Sequence, residues 1–503
     1  MDHADTAQLA AVGGALGSAV VLLARGRFAL LAGLVLLAAA EAGMALSFAG
    51  GGGLDALRSA AGAAAAVVGI TVLAGAALLL ARRPAWVPLA VLAAAPLRPP
   101  IDVDPANRFL VAIAEDGRLG RLIPLYFVLA AAGLALAYRL ARGEEPAPLP
   151  RSIARPAAAF FAFAFLSLLW ADSVEAGVDL LAWFTLPFVV LVATVARAAF
   201  PDWLPRALAT LGIGLAALFA AVGLWQAATH KLFFYAPNLE VSNANTSYFR
   251  VTSLFGDPSL YGRHVVLGLG VVLAVLAAGR LSVRPAIALA ALLWLGLFFS
   301  YSQSSMVALV VVVLAIAAAA GDARVRRAVV ALAGVGVIAA GGYAAAKVID
   351  GDSLRQVTSD RTERVEDATR VIRHHSVVGA GIGNQARVSR RLAGSERPTA
   401  NFVSHTTPLT VAAELGAIGL ALYAWLLLGG ANLLMDVGRR DRAFGLALGA
   451  AFLALFVHAL FYSGFLEDPL TWLVLAVGAG WLTWNEATTP AAERYRRRAA
   501  AAS

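Results

Sequence analysis

Apolar runs recur along the whole chain, most of them roughly 17 to 23 residues long, the length needed to cross a bilayer as a helix. They lie near 7–24, 28–49, 59–81, 84–97, 121–141, 156–170, 178–198, 207–229, 264–279, 285–300, 303–320, 328–348, 408–429, 443–464 and 469–486. The runs are continuous and lack the alternation of apolar and polar positions that a spanning strand shows. In hydrocarbon a backbone must satisfy its own hydrogen bonds, which leaves helices. The pattern predicts an all-α polytopic membrane protein of about 14 or 15 transmembrane helices. The fourth run is short and carries Pro84, Pro88 and Pro96, which suits a re-entrant element.

The polar positions between the runs give an orientation. Arg25, Arg27, Arg82, Arg83, Arg280, Arg284, Arg324, Arg326, Arg327, Arg439, Arg440 and Arg442 sit in short connections, and "RYRRR" closes the chain. Basic short loops stay cytoplasmic. The longer connections 98–120, 230–262 and 349–407 then fall on the other, extracytoplasmic side. The largest of these separates the fourth-last from the third-last span. This reading places the protein in the cytoplasmic (inner) membrane, with its basic tail 487–503 inside. Composition agrees: 60% of residues are hydrophobic and mean hydropathy is +0.76, far from a soluble domain. The net charge of +9 thus reports topology and gives no reason to expect nucleic acid. Cysteine is absent, which excludes thiolate chemistry, iron–sulfur clusters and disulfides. The start "MDHADTAQ" lacks the basic n-region of a cleavable signal.

Segment 349–407 is too polar to span and too rich in helix formers for a linker. "SDRTERVEDATRVIRHH" places Val365, Ala368 and Ile372 at amphipathic helical spacing. Three glycines in "GAGIG" follow, permitting unusual backbone angles and the close approach of a ligand. His405 stands just before Pro408, which suits the first turn of the next helix. An imidazole there, with an ordinary pKa of about 6.5, can serve as a general base or simply hydrogen-bond loop backbone. Glu414 lies nine residues on, facing away from His405 on an ideal helix. An acid inside a span needs a partner or a cavity, and pairing with a neighbouring span is the first expectation. His458 and Glu41 are similar polar groups; Glu467 and Asp468 read as solvated residues of an outer helix end. Arg250, Arg263, Arg361, Arg364, Arg370 and Arg373 lie on the extracytoplasmic side. Guanidinium groups suit a phosphate or diphosphate. Ion pairing with Asp360, Glu363, Glu366 and Asp367 is the competing use. His374 and His375 are adjacent, diverge on a helix, and lack a third ligand at metal-site spacing; no metal or other cofactor is expected.

Taken in order, these pieces resemble the O-antigen ligase and O-antigen polymerase superfamily of bacterial surface-glycan enzymes. The matching text is "DRTERVEDATRVIRHHSVVGAGIGN" (360–384) and "SHTTPLTVAAELGAIGL" (404–420), with "FRVTSLFGDPSLYG" (249–262) and "FFSYSQSSMVALVVV" (298–312) in support. The resemblance covers about 205–486. Segment 1–204 shares only general hydropathy with the family. It implies a bundle similar to the metal-independent C-type glycosyltransferases. The implied reaction moves a glycan from a polyprenyl-diphosphate donor to an acceptor hydroxyl on a glycan or lipid, outside the cytoplasmic membrane, in cell-envelope polysaccharide biosynthesis. His405 matches the family's essential loop histidine, Arg361 the arginine opening the loop helix, and Arg250 the arginine of the earlier outer motif. Arg364 and Arg263 are further candidates for the diphosphate, and Glu414 a supporting residue. Three positions depart from the family pattern: Ser305 replaces an arginine, Val365 a tryptophan and Ser376 a proline. Besides the ligase or polymerase reading, two others stay open. A transporter or flippase would show repeats and helices broken at the bilayer midplane; a non-catalytic scaffold of an envelope complex would tolerate loss of His405.

Overall fold

The computed structural model describes residues 3–48, 60–103, 111–113, 121–234, 236–335, 361–462 and 464–488. The expected span near 328–348 and the tail 487–503 fall largely outside them. The chain is an all-α bundle apart from one short antiparallel ribbon, Ile101–Val103 with Val111–Ile113. Eleven helices among the described residues are long and apolar enough to cross a membrane. They are α1 (His3–Leu23), α2 (Arg27–Phe48), α3 (Ala60–Arg82), α5 (Ile123–Ala141), α6 (Arg151–Leu166), α7 (Val174–Val195), α8 (Leu204–Thr229), α10 (Pro258–Ala277), α12 (Gln303–Ala320), α15 (Thr407–Arg440) and α16 (Arg442–Ala459).

Two apolar helices are shorter, α4 (Val87–Ala94) and α11 (Val283–Phe298). The last, α17 (Pro469–Thr488), is buried along most of its length, with Trp484 and Glu486 exposed in its last turns. The remaining helices are polar: α9 (Pro237–Asn245), α13 (Arg361–His374) and α14 (Gln385–Leu392). The prolines of α4 begin it with a single 3-10 turn at Pro84–Trp86, so the fourth apolar run is a short helix, as its composition suggests.

Two apolar cores organise the bundle. One joins α1, α2 and α5–α7 to α15 and α17; the other joins α8, α10, α11, α12 and α16. Small residues let backbones meet where no hydrophobic effect drives helices together. Gly33 of α2 faces Val21 of α1, and Gly438 lies against Gly445 across the α15–α16 turn. On α3, Val67, Val68 and Ile70 are all more than 60% exposed, a face that only hydrocarbon would solvate without cost.

Polar helix ends separate into two faces. At one end Arg280 reaches Asp441, Arg440 reaches Glu486 and Arg442 reaches Ala319 O. These belong to the short basic connections. His405 and the polar loop helices occupy the other end, at the opposite terminus of α15.

Helix α15 is broken. Gly416 holds φ +65° and ψ −164° in mid-helix, a conformation that a side chain would oppose. The break frees carbonyls and amides of a buried stretch, which need partners. Loop 376–381 supplies the partners: Ala417 N donates to Ser376 O, Ile418 N to Val377 O, Ala380 N to Ala413 O and Gly381 N to Glu414 O. One span is thus discontinuous, at Gly416 of α15. Its backbone groups are used by the protein's own loop.

Candidate functional site

The glycine-rich element is a docking surface for the protein's own backbone. Gly379, Gly381 and Gly383 all have positive φ. A Cβ on Gly379 would meet the Glu414 backbone at 2.2 Å, and one on Gly381 would meet Ala171 Cα at 2.4 Å. One on Gly383 would meet Ala176 O at 2.6 Å. The expected ligand approach is thus replaced by close packing against α15 and the α6–α7 connection. Buried Asn384 fixes the far side: Oδ1 accepts from Ser173 N at 2.9 Å, and Nδ2 donates to Ser173 O at 3.2 Å. Trp170 Nε1 donates to Val378 O, and Ile382 N to Ser167 Oγ. The N-terminal spans therefore carry the loop motif directly.

Glu414 is buried at this junction. Its Oε1 accepts from Gln385 N at 3.2 Å and it also accepts from Gly383 N. The expected partner on a neighbouring span gives way to the amides that open α14. The break at Gly416 is what brings loop and acid together. Glu414 also lines a small cavity of about 50 Å³ with Thr407, Thr410, Gly464, Glu467 and Trp472.

Helix α13 keeps two of the three apolar positions its spacing suggests, Ala368 and Ile372, and buries Val371 in place of Val365. Ala368 and Val371 are fully buried, whereas Val365 is 43% exposed. Val371 packs with Ala380, Val388 and Ala413 in a miniature core. Its charges are partly internal: Arg370 pairs with Asp367 at 3.0 Å, and Glu363 with Arg397 at 3.5 Å. Burial pushes the Asp367 carboxyl up, against the pull of Arg370.

The candidate residues take the following places. His405 is half-buried, immediately before α15, with its ring stacked on Tyr462 at 6.1 Å and 15°. Tyr462 hydrogen-bonds Asp257, and burial pushes its phenol up. Its ring also lies 5.5 Å from that of His458, whose Nε2 is 3.1 Å from Ser304 Oγ. Ser304 and Ser305 both contact Ser302 Oγ, the cap of α12. Arg250 reaches the same turn, donating from Nε to Ser300 O at 3.4 Å. The "SYSQSS" turn thus links Arg250 to His405 through Ser304, His458 and Tyr462. Arg364 donates to Val403 O at 3.0 Å, two residues before His405. Arg361 opens α13; its side chain lies outside the described residues.

Arg263 is buried in an ion pair with Asp468 at 2.9 Å. Asp468 is itself only 3% exposed and also accepts from Leu470 N at 2.8 Å at the start of α17. The expectation of a solvated Asp468 fails because α10 carries Arg263 against it. Glu467, read the same way, is partly buried, and burial pushes its carboxyl up despite Arg263.

Arg98 was missed by motif reading. It is half-buried, and its guanidinium is held down first by burial and then by Arg263, with Asp468 opposing. Arg98 and Arg263 thus share the neighbourhood of Asp468, with Glu467 beside them. Its only signal in the sequence was an arginine just after a proline-rich run, in the extracytoplasmic connection 98–120, and the sequence reading did not single it out.

Residues 288–424 match the family model described as O-antigen ligase. The match runs from α11 to the middle of α15, taking in Arg361, Arg364, His405, Glu414 and the break at Gly416. It supports the O-antigen ligase and polymerase superfamily. No curated protein matches the chain.

Proposed function

With an O-antigen ligase domain at residues 288–424 as the premise, we propose that this membrane protein transfers a glycan from a polyprenyl-diphosphate donor to an acceptor hydroxyl. The reaction is assigned to the extracytoplasmic face of the cytoplasmic membrane, where the large loop lies. The acceptor oxygen attacks the anomeric carbon, the bond from that carbon to the diphosphate oxygen breaks, and the lipid diphosphate leaves with the electron pair. The hydroxyl proton passes to His405, or to water where His405 only aligns the hydroxyl.

The observation that carries this reading is the seat of His405 within the matched domain. The imidazole stands at the end of a membrane bundle, on the aromatic face of Tyr462, with arginines on the elements around it. Fixed cations in a water-poor site favour the departing diphosphate because they need no reorganisation as charge develops. Arg250 and Arg361 are assigned this role first, then Arg364 and Arg263. Arg263 already shares its charge with Asp468, so its contribution to an anion is the smaller. An apolar cleft between the two cores is lined by Leu208, Phe219, Leu267 and Val474, and also by His264, the sequence neighbour of Arg263. It favours a donor that arrives on a lipid.

Ligase and polymerase share this chemistry and differ in acceptor. Purified protein incubated with a lipid-diphosphate glycan and candidate acceptors separates them by product size. A ladder indicates polymerisation, and a single conjugate indicates ligation. Movement of the glycan across sealed vesicles without joining would replace the reading with transport.

A further inference from the structure

His405 lies in a stretch without regular secondary structure, so its backbone must be held by something other than a helix or strand ladder. Three consecutive residues before it each have a backbone group taken by a side chain. Gln385 Nε2 donates to Phe402 O at 2.9 Å. Arg364 donates to Val403 O at 3.0 Å. Gln385 Oε1 accepts from Ser404 N at 2.9 Å. A carboxamide that bonds the carbonyl of one residue and the amide of the next but one imitates a neighbouring strand. The orientation of the amide is fixed by its partners, since a flip would set like against like at both contacts.

Gln385 is itself immobilised. It is 2% exposed; its Nε2 also donates to Ser389 Oγ at 2.9 Å, and its backbone N donates to Glu414 Oε1 at 3.2 Å. On the other side of His405, Thr406 Oγ1 donates to Leu460 O at 3.1 Å, and Thr407 Oγ1 accepts from Phe465 N at 3.4 Å. The histidine therefore hangs between two clamps. One is anchored in α14 and the other in the connection that carries Tyr462.

We propose that Gln385 is a positioning residue for the transfer reaction, fixing the backbone that aims the His405 ring. Glu414 acts behind it by holding the first amide of α14. The assignment rests on the role given to His405 above. A buried, unreactive glutamine suits such a role because it supplies one donor and one acceptor in a plane, at any pH, with no charge to desolvate. Placement matters because a shift of about 1 Å in a reacting group can cost about a hundredfold in rate.

The test uses the full-length protein. Gln385→Ala and Gln385→Met remove both contacts, Met while keeping the volume. Gln385→Glu keeps the acceptor for Ser404 N but loses the donor to Phe402 O unless its carboxyl is protonated. Two readouts are taken. One is the rate at which diethyl pyrocarbonate modifies His405, measured by mass spectrometry against exposed His374 in the same molecule. The other is transfer kinetics with the donor and acceptor pair found in the product assay. The expected result is a changed His405 rate with His374 unaltered, and kcat lowered about tenfold or more with donor KM unchanged. Activity of Gln385→Glu relative to the parent should recover as pH falls and the carboxyl regains its proton. A variant that fails to fold is replaced by the other two. Unaltered His405 modification in a folded variant overturns the proposal, as does full kcat with His405 displaced. If instead His405→Ala keeps full activity, the catalytic reading fails while the modification data still decide whether Gln385 holds the loop.

Discussion

Gly381→Ala distinguishes a ligand cradle from a docking surface. Gly381 sits at φ +88° with Ala171 Cα at 2.4 Å from where a Cβ would be. The left-handed backbone alone costs an alanine about 1–2 kcal/mol, and forcing a methyl against packed backbone adds about 1–3 kcal/mol. Together the substitution should cost about 2–5 kcal/mol. Gly394, in the same loop, provides an internal control: it has φ +59° but nothing within 4 Å of its would-be Cβ. Gly394→Ala should therefore lose only the backbone part, about 1–2 kcal/mol. The difference isolates the contact with the α6–α7 connection. Detergent-solubilised variants are heated, and the monodisperse fraction is followed by size exclusion, with half-loss temperatures compared at one heating rate because such unfolding is commonly irreversible. Gly381→Ala should fall well below Gly394→Ala, which should lie just below the parent. Equal temperatures for the two variants would refute the docking account. A thermally normal Gly381→Ala that has lost transfer would return the glycine to a ligand.

Other predictions concern the surrounding framework. His405→Ala should keep the parent's half-loss temperature while transfer drops about 10²–10⁴-fold; a comparable loss of stability would make the histidine structural. Asn384→Ala removes both contacts to Ser173 and should cost about 1–3 kcal/mol, read in the same heating series. Asp468→Ala strands Arg263 in a buried site and should cost about 3–5 kcal/mol, part of which Asp468→Leu with Arg263→Met should restore; no recovery would mean that the ion pair is not the cause. Glu467, near Arg263, Asp468 and Glu414, has its carboxyl raised by burial. Its contribution to stability is therefore fully present below the unfolded carboxylate pKa and declines as pH rises through the folded value. Glu467→Gln should flatten the stability profile above the ordinary carboxylate range, and an unchanged slope would remove Glu467 from that account.

The sequence by itself determined the class of protein and most of its spans, because bilayer thickness imposes a run length that composition alone reveals. It also marked His405 at a helix start, through Pro408, and the basic short connections that gather at the opposite end. Local patterns reached no further. Asn384 meets Ser173 across 211 positions of chain, and Gln385 meets Glu414 across 29; neither pairing has a period or spacing to betray it. Only the tertiary structure decided that the glycines of 379–383 admit backbone rather than ligand, and that α15 breaks at Gly416 to receive them. Only there could Asp468 become the partner of Arg263, and Arg98 their neighbour. The physical reason is common to all of these. A buried polar group takes whichever partner the fold brings within hydrogen-bond reach, and in a bundle those partners come from helices distant in sequence.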